Sequence, residues 1–288
     1  MSNKLILGTA QFGMNYGINN KIGEIQKNEI IKILNFCKKN NINHFDTASS
    51  YGESENKLGN YLKKNNNNFK IITKYSLKKK SIIKQFYETK KLTGQVPDIV
   101  LAHSYKDYIS ANFQEMLNYL IKEFNLKKYG VSLYEPNEYF KILKVKIPKI
   151  IQVPINIFDK RFLEKKIISS IKKNKIEVHA RSIFLQGLLY VEKKKIYKYF
   201  KNVKKVFEKA TNLAVDENLS LAQLSLLWAY KKKDINKIVL GIDSLSQLKE
   251  NIGILQKRTQ NKTILEIDKI NLHKNTIIKP NLWKIKQF

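Results

Sequence analysis

The chain has 288 residues, of which 43% are hydrophobic, and carries a formal net charge of +30 from 54 basic and 24 acidic residues. Its single cysteine, Cys37, excludes an internal disulfide, and no apolar run approaches the ~20 residues that span a bilayer. The first ten residues lack the build of a signal peptide, so a cytoplasmic protein without a membrane partner is expected. Only Arg161, Arg181 and Arg258 are arginines. Nucleic-acid readers favour arginine for planar phosphate and base contacts, so the lysine excess is expected to be a solvated surface and not a nucleic-acid site.

In chain order, residues 4–7 read as a first strand that ends in Gly8, Thr9 and Ala10. Residues 26–40 place Ile30, Ile33, Leu34 and Cys37 on one helical stripe. A short apolar strand at 42–45 stops at Asp46, and a turn with Tyr51 and Gly52 precedes a helix near Ser54 that runs to Lys64. An asparagine-rich loop follows at 65–68. Ile71 and Ile72 then lead to Lys74, residues 99–101 to His103, and residues 129–131 to Ser132, with helices at 81–93 and 113–123 between them.

Asp46, Lys74, His103 and Ser132 follow one another at 28, 29 and 29 residues. That is close to the ~30 residues one βα unit consumes, so polar side chains recur at one phase of a repeat. Pro136 suits a helix start. Further units place Gln152 near the end of a strand at 150–153, Arg181 and Ser182 after a strand at 177–180, and Gly241 after a strand at 238–240. Helices are expected at 162–173, 193–218, 221–230 and 245–257. Eight strands alternating with helices, without a Pro/Gly/Ser-rich linker, predict an α/β fold: one closed (β/α)8 TIM-type barrel over 1–288, with 259–288 as a tail packed on the barrel, across its active face. Strand ends of such a barrel converge on one face, where chemistry is done.

The succession Asp46, Tyr51, Lys74, His103, with DTASSYG around the first two, resembles the aldo-keto reductase superfamily. GTAQFG at 8–13, GVS at 130–132, IQVPIN at 151–156 and LGIDSLSQLKEN at 240–251 extend the resemblance over most of the chain. It implies an NAD(P)H-dependent enzyme that reduces a small-molecule aldehyde or ketone, possible substrates being sugar-type. Lys74, pinned by Asp46, would acidify Tyr51 as proton donor, and His103 would orient the carbonyl. The same resemblance implies a cofactor lying along Gly8, Thr9, Ala10, Ser132, Gln152, Arg181, Ser182 and Gly241, with Ser244, Gln247 and Asn251 at its adenosine end. No metal is implied.

Three departures stand out. Leu133 follows Ser132 where the family commonly has asparagine, Arg181 stands where an aromatic usually stacks on the nicotinamide, and Gln247 where a basic residue grips a 2′-phosphate. NADPH is the family default, and NADH is the second expectation. A cofactor-binding regulatory subunit with vestigial chemistry is the alternative to an enzyme. Substrate lining is expected from 14–21, 105–111, 158–162 and the tail, with Phe12, Tyr16, Tyr105 and Tyr134 as walls.

Overall fold

The computed structural model describes residues 4–65, 68–78, 81–273 and 275–284. The middle of the asparagine-rich loop and the last four residues of the tail lie outside them. Eight strands form the barrel: β1 (Leu5–Gly8), β2 (His44–Asp46), β3 (Lys70–Tyr75), β4 (Ile99–Ala102), β5 (Lys128–Ser132), β6 (Ile150–Pro154), β7 (Glu177–Arg181) and β8 (Lys237–Leu240). Each pairs in parallel with the next and β8 pairs with β1, so the ring closes.

The helices before β5 are α1 (Ala10–Gly13), α2 (Lys27–Lys39), α3 (Ser54–Leu62), α4 (Ile82–Thr93), α5 (Tyr105–Tyr108) and α6 (Ala111–Phe124). After it come α7 (Pro136–Ile142), α8 (Lys165–Lys173), α9 (Lys193–Tyr199), α10 (Lys204–Asp216), α11 (Leu221–Lys231), α12 (Leu245–Ile254) and α13 (Asn261–Lys269). Local chemistry fixes several ends. Ser110 and Ser220 cap α6 and α11 with their hydroxyls, and Pro136 opens α7 behind a Glu135–Glu138 capping box.

Side chains alternate along a strand, so one apolar position inside the barrel places the residue two further on inside as well. Ile6, Ile72, Ile99, Leu101 and Ile150 pack together as the inner core, with Val239 against them. The second, larger core lies between the outer strand faces and the helices. Two residues beyond Ile72, Leu101 and Ile150 come Lys74, His103 and Gln152, while Asp46 is in register with Ile72. This phase is what carries the polar side chains to the carboxyl mouth.

Two expectations are corrected. The stretch 193–218 is two helices, broken where Asn202 takes a left-handed φ of 61° and Phe200 and Val203 turn into the core. Among the described residues, the tail does not line the active face. It forms α13, whose Asp268 accepts from Trp228 Nε1 of α11 at 2.8 Å, while Thr263 and the Gln260 backbone bond Glu217 beyond α10. Farther on, Leu272 N donates to Phe158 O at 3.0 Å.

Candidate active site

Asp46 ends β2 almost wholly buried, and both of its oxygens are engaged. Oδ1 accepts from Lys74 Nζ at 2.5 Å and Oδ2 from Gln152 Nε2 at 2.7 Å. Lys74 Nζ also donates to Thr47 O at 2.8 Å and stands 4.9 Å from the centroid of the Tyr51 ring. The ammonium therefore faces the ring of Tyr51; no hydrogen bond joins it to the phenol oxygen among the described residues.

The loop bearing Tyr51 is held from both sides. Thr47 N donates to Ile72 O and Ser49 N to Lys74 O, which tie it to β3, and the Ser49 hydroxyl donates to Gln85 Oε1 at 2.6 Å. On the other side α1 packs directly on it. A Cβ added at Gly13 would lie 2.1 Å from Tyr51 O and 2.2 Å from Ser54 N, so only glycine permits that approach.

Burial pushes the Tyr51 phenol well above its usual pKa; the Asp46 carboxylate adds to this and the Arg181 guanidinium opposes it. The cation that favours its phenolate is the Arg181 guanidinium, while Lys74 stands over the ring. His103 is pushed down to about 4, first by burial and then by Lys74, so it is neutral near pH 7. Its ring meets Tyr51 edge to face at 6.0 Å between centroids, and Nδ1 lies 3.2 Å from the Ser50 hydroxyl.

These four residues line one cleft of about 1160 Å³, open solvent included, at the carboxyl mouth of the barrel. Gly8, Thr9, Ala10, Ser132, Gln152, Arg181, Ser182, Gly241 and Gln247 line it too. Ser244 and Asn251 do not. The Ser244 hydroxyl accepts from Gln247 N as the cap of α12, and Asn251 is buried on that helix. The Thr9 hydroxyl is spent inside the fold, on Asp46 O at 3.0 Å and Ser54 Oγ at 2.7 Å, which leaves its backbone to face the cleft.

Of the expected lining loops, 14–21 contributes Tyr16, Gly17, Asn19 and Asn20, whereas 105–111, 158–162 and the described tail contribute nothing. Phe12 is a core residue with no exposure, and Tyr105 lies under Lys141. Tyr16 and Tyr134 do form walls. Tyr16 is pushed up to about 12, mainly by burial, and its hydroxyl accepts from Gln186 Nε2 at 3.1 Å.

Several lining or supporting groups carried no motif signal. Gln186 sits at φ 54°, directly before Gly187 at φ 94°, and its carbonyl accepts from Ile18 N, which ties the two lining loops together. Glu55 is buried behind β3, accepting from Thr73 and Thr89 hydroxyls at 2.7 and 3.0 Å, and burial raises its pKa. Asp243 accepts from Gln11 and Gln247 side chains at the far end of the cleft.

A family model for the aldo/keto reductases matches residues 4–272. The chain belongs to the aldo/keto reductase family. It is accordingly an NAD(P)H-dependent oxidoreductase, and the expectation of family and barrel is borne out. Among solved structures, the chain is similar to aldo-keto reductase AKR11C1 from Bacillus halodurans in its holo form, at 19% identity over 94% of this chain and 92% of that one, with a TM-score of 0.75. It is similar also to the glycerol dehydrogenase AKR11B4 from Gluconobacter oxydans, at 19% identity, 92% and 90% coverage and a TM-score of 0.70. A thermostable aldo-keto reductase, Tm1743, in complex with the inhibitor epalrestat gives 17%, 92% and 94%, and 0.70. Identities this low speak for the fold alone. No curated protein sequence matches the chain.

The cleft fits a nicotinamide dinucleotide by its own features. Its floor is kept low by Gly8 and Gly241, where an added Cβ would stand 3.3 Å from Val239 and from Gln11 Nε2. Ser132, Gln152 and Gln247 add polar side chains to its lining.

Proposed function

We propose that this aldo/keto reductase reduces an aldehyde or ketone with Tyr51 as proton donor, and that it prefers NADH to NADPH. The observation that carries the first part is the convergence of Tyr51, His103 and the Lys74–Asp46 pair on one cleft. A nicotinamide cofactor held in this cleft would supply the hydride that the carbonyl carbon gains. Tyr51 gives its proton to the carbonyl oxygen, which takes the π pair, so that the product is an alcohol. A phenol raised by burial keeps its proton at neutral pH until such charge develops. Neutral His103, when its Nδ1 accepts from Ser50, carries its proton on Nε2 and donates to the same oxygen. Lys74 and Asp46 hold the Tyr51 ring in place and tune the field around it.

The second part rests on the start of α12. Its first free N–H, that of Leu245, is taken by Glu29 Oε1 at 2.9 Å, and Asp243 is adjacent. A 2′-phosphate entering there would face two carboxylates. Lys249, the nearby basic residue, lies over the Phe36 ring at 5.9 Å, turned toward α2. NADPH, the family default, is therefore the less favoured cofactor in this reading. A cytoplasmic setting goes with it, where Cys37 stays a buried free thiol.

Loss of nicotinamide absorbance with a panel of aldehydes and ketones, run with NADH and NADPH in parallel, tests the reading. Turnover with NADH favoured is expected. Tight cofactor retention without turnover of any carbonyl would leave the regulatory-subunit alternative standing in its place.

A further inference from the structure

Arg181 and Arg161 are both largely withdrawn from water, and they are treated in opposite ways by their surroundings. Arg161 is a paired structural cation: Nε and Nη2 donate to the two oxygens of Asp159 at 2.9 and 3.0 Å, and Nη1 to Glu135 at 2.6 Å. Arg181 has no carboxylate within ion-pair reach among the described residues. Of its five N–H donors, one goes to the Ser182 hydroxyl at 3.2 Å and one to Leu133 O at 3.1 Å. Its Nε is shielded from solvent and has no acceptor. An arginine in such a place is costly unless something meets its charge.

The guanidinium is also fixed. Its Cζ lies 4.3 Å from the Tyr134 centroid, and the next residue, Ser182, is held at φ 60°, with Leu185 and Gln186 left-handed beyond it. Three non-glycine residues in that region mark a strained segment, of the kind that gathers at binding sites. Arg181 lines the same cleft as Tyr51, and its field reaches Tyr51, Tyr16 and His103, whereas Asp243 acts on Tyr190. Arg181, without a carboxylate partner, thus sits at the reacting end, and Asp243 at the other.

We infer that Arg181 receives an oxyanion carried by the carbonyl substrate itself, a carboxylate or a phosphate, so that the substrate class is an anionic aldehyde or ketone. This rests on the carbonyl-reduction reading above and names the substrate it acts on. A planar guanidinium held by stacking suits such a group better than a mobile lysine, because its remaining donors keep one orientation.

The test compares glyoxylate with glycolaldehyde, and glyceraldehyde 3-phosphate with glyceraldehyde, in wild type, Arg181→Lys and Arg181→Gln, with circular dichroism to verify folding. Wild type is expected to favour at least one anionic partner by about 10–100-fold in kcat/KM, mostly through KM, with the ratio falling to near one in Arg181→Gln. Arg181→Lys is expected in between. Titration calorimetry with oxalate, which cannot accept a hydride here, reads the anion site without turnover; binding lost in Arg181→Gln supports the assignment. Equal use of charged and neutral aldehydes, with oxalate binding indifferent to Arg181, overturns it while carbonyl reduction stands. A drop in cofactor affinity with an unchanged charge ratio also overturns it, since Arg181 would then serve the dinucleotide phosphates. If no carbonyl is reduced at all, the reduction reading fails and the oxalate titration alone decides the role of Arg181.

Discussion

Lys74 Nζ and Asp46 Oδ1 are 2.5 Å apart inside the barrel, with side-chain exposures of 2% and 3%. Desolvation offsets most of the attraction in a pair this deeply buried, so it adds little net stability, yet it is costly to break from one side. Lys74→Met should lower stability by about 3–5 kcal/mol, because it strands a buried carboxylate with only Gln152 to meet it. Asp46→Asn added to it should restore part of that stability and none of the activity. Urea unfolding of the two single variants and the double variant measures the coupling.

Tyr51→Phe removes the phenol and keeps the ring that Lys74 faces. The turnover number should fall by about 10²–10⁴-fold, the usual worth of a positioned acid, with fold and cofactor affinity close to wild type. Steady-state kinetics together with fluorescence titration of the cofactor separate these two effects.

Two glycines make an internal control for the Tyr51 loop. Gly13→Ala would drive a methyl into the Tyr51 carbonyl, and since the obstacle is backbone the loop must move. Both turnover and melting temperature should drop. Gly253→Ala, within α12 and with nothing inside 4 Å of the new methyl, should stabilise by about 0.4–1 kcal/mol. Thermal unfolding and specific activity of the pair show whether the loss belongs to the Tyr51 loop.

Acid should destabilise this protein above the usual carboxylate range. His103 and His44 are both pushed from 6.5 to about 4, each first by burial; Lys74 then acts on His103, and Lys237 and Lys70 on His44. Between those values the unfolded chain binds more protons than the folded one, so stability rises with pH. It is fully present above about 6.5 and lost as pH falls toward 4. Denaturant midpoints measured at pH 7, 5.5 and 4.5 should fall in that order, with a shallower fall in His44→Gln.

Asp243→Asn should narrow the preference for NADH, and joined to Gln247→Lys should reverse it, since the two changes remove an acid and add a base beside the start of α12. Ratios of kcat/KM for NADPH and NADH measure this, and a ratio untouched by either change would count against the assigned adenosine end.

The sequence carried the barrel because the polar strand ends recur at nearly constant spacing, and that spacing also brought Asp46, Lys74, His103 and Gln152 to one mouth. What it did not carry depends on approach in space. Nothing in the pattern told that Gln152 would be spent on Asp46, that Lys74 would meet the Tyr51 ring and not its hydroxyl, or that Glu29 would reach the start of α12 from α2. The tail followed a helical stripe, with Thr263 and Ile267 buried, but which surface it would choose was set by Trp228 and Glu217, more than thirty residues away. Arg181 was legible as a departure from the family, while its lack of a counter-charge was not.

The bond from Gln152 to Asp46 runs straight across the ring, because β2 and β6 lie four strands apart among eight. A chain severed between β4 and β5 would keep Asp46, Tyr51, Lys74 and His103 on a single fragment, yet with one carboxylate oxygen unbraced. Mixing the two fragments and watching for the return of turnover would then report that the cylinder has closed, making catalysis a gauge of assembly.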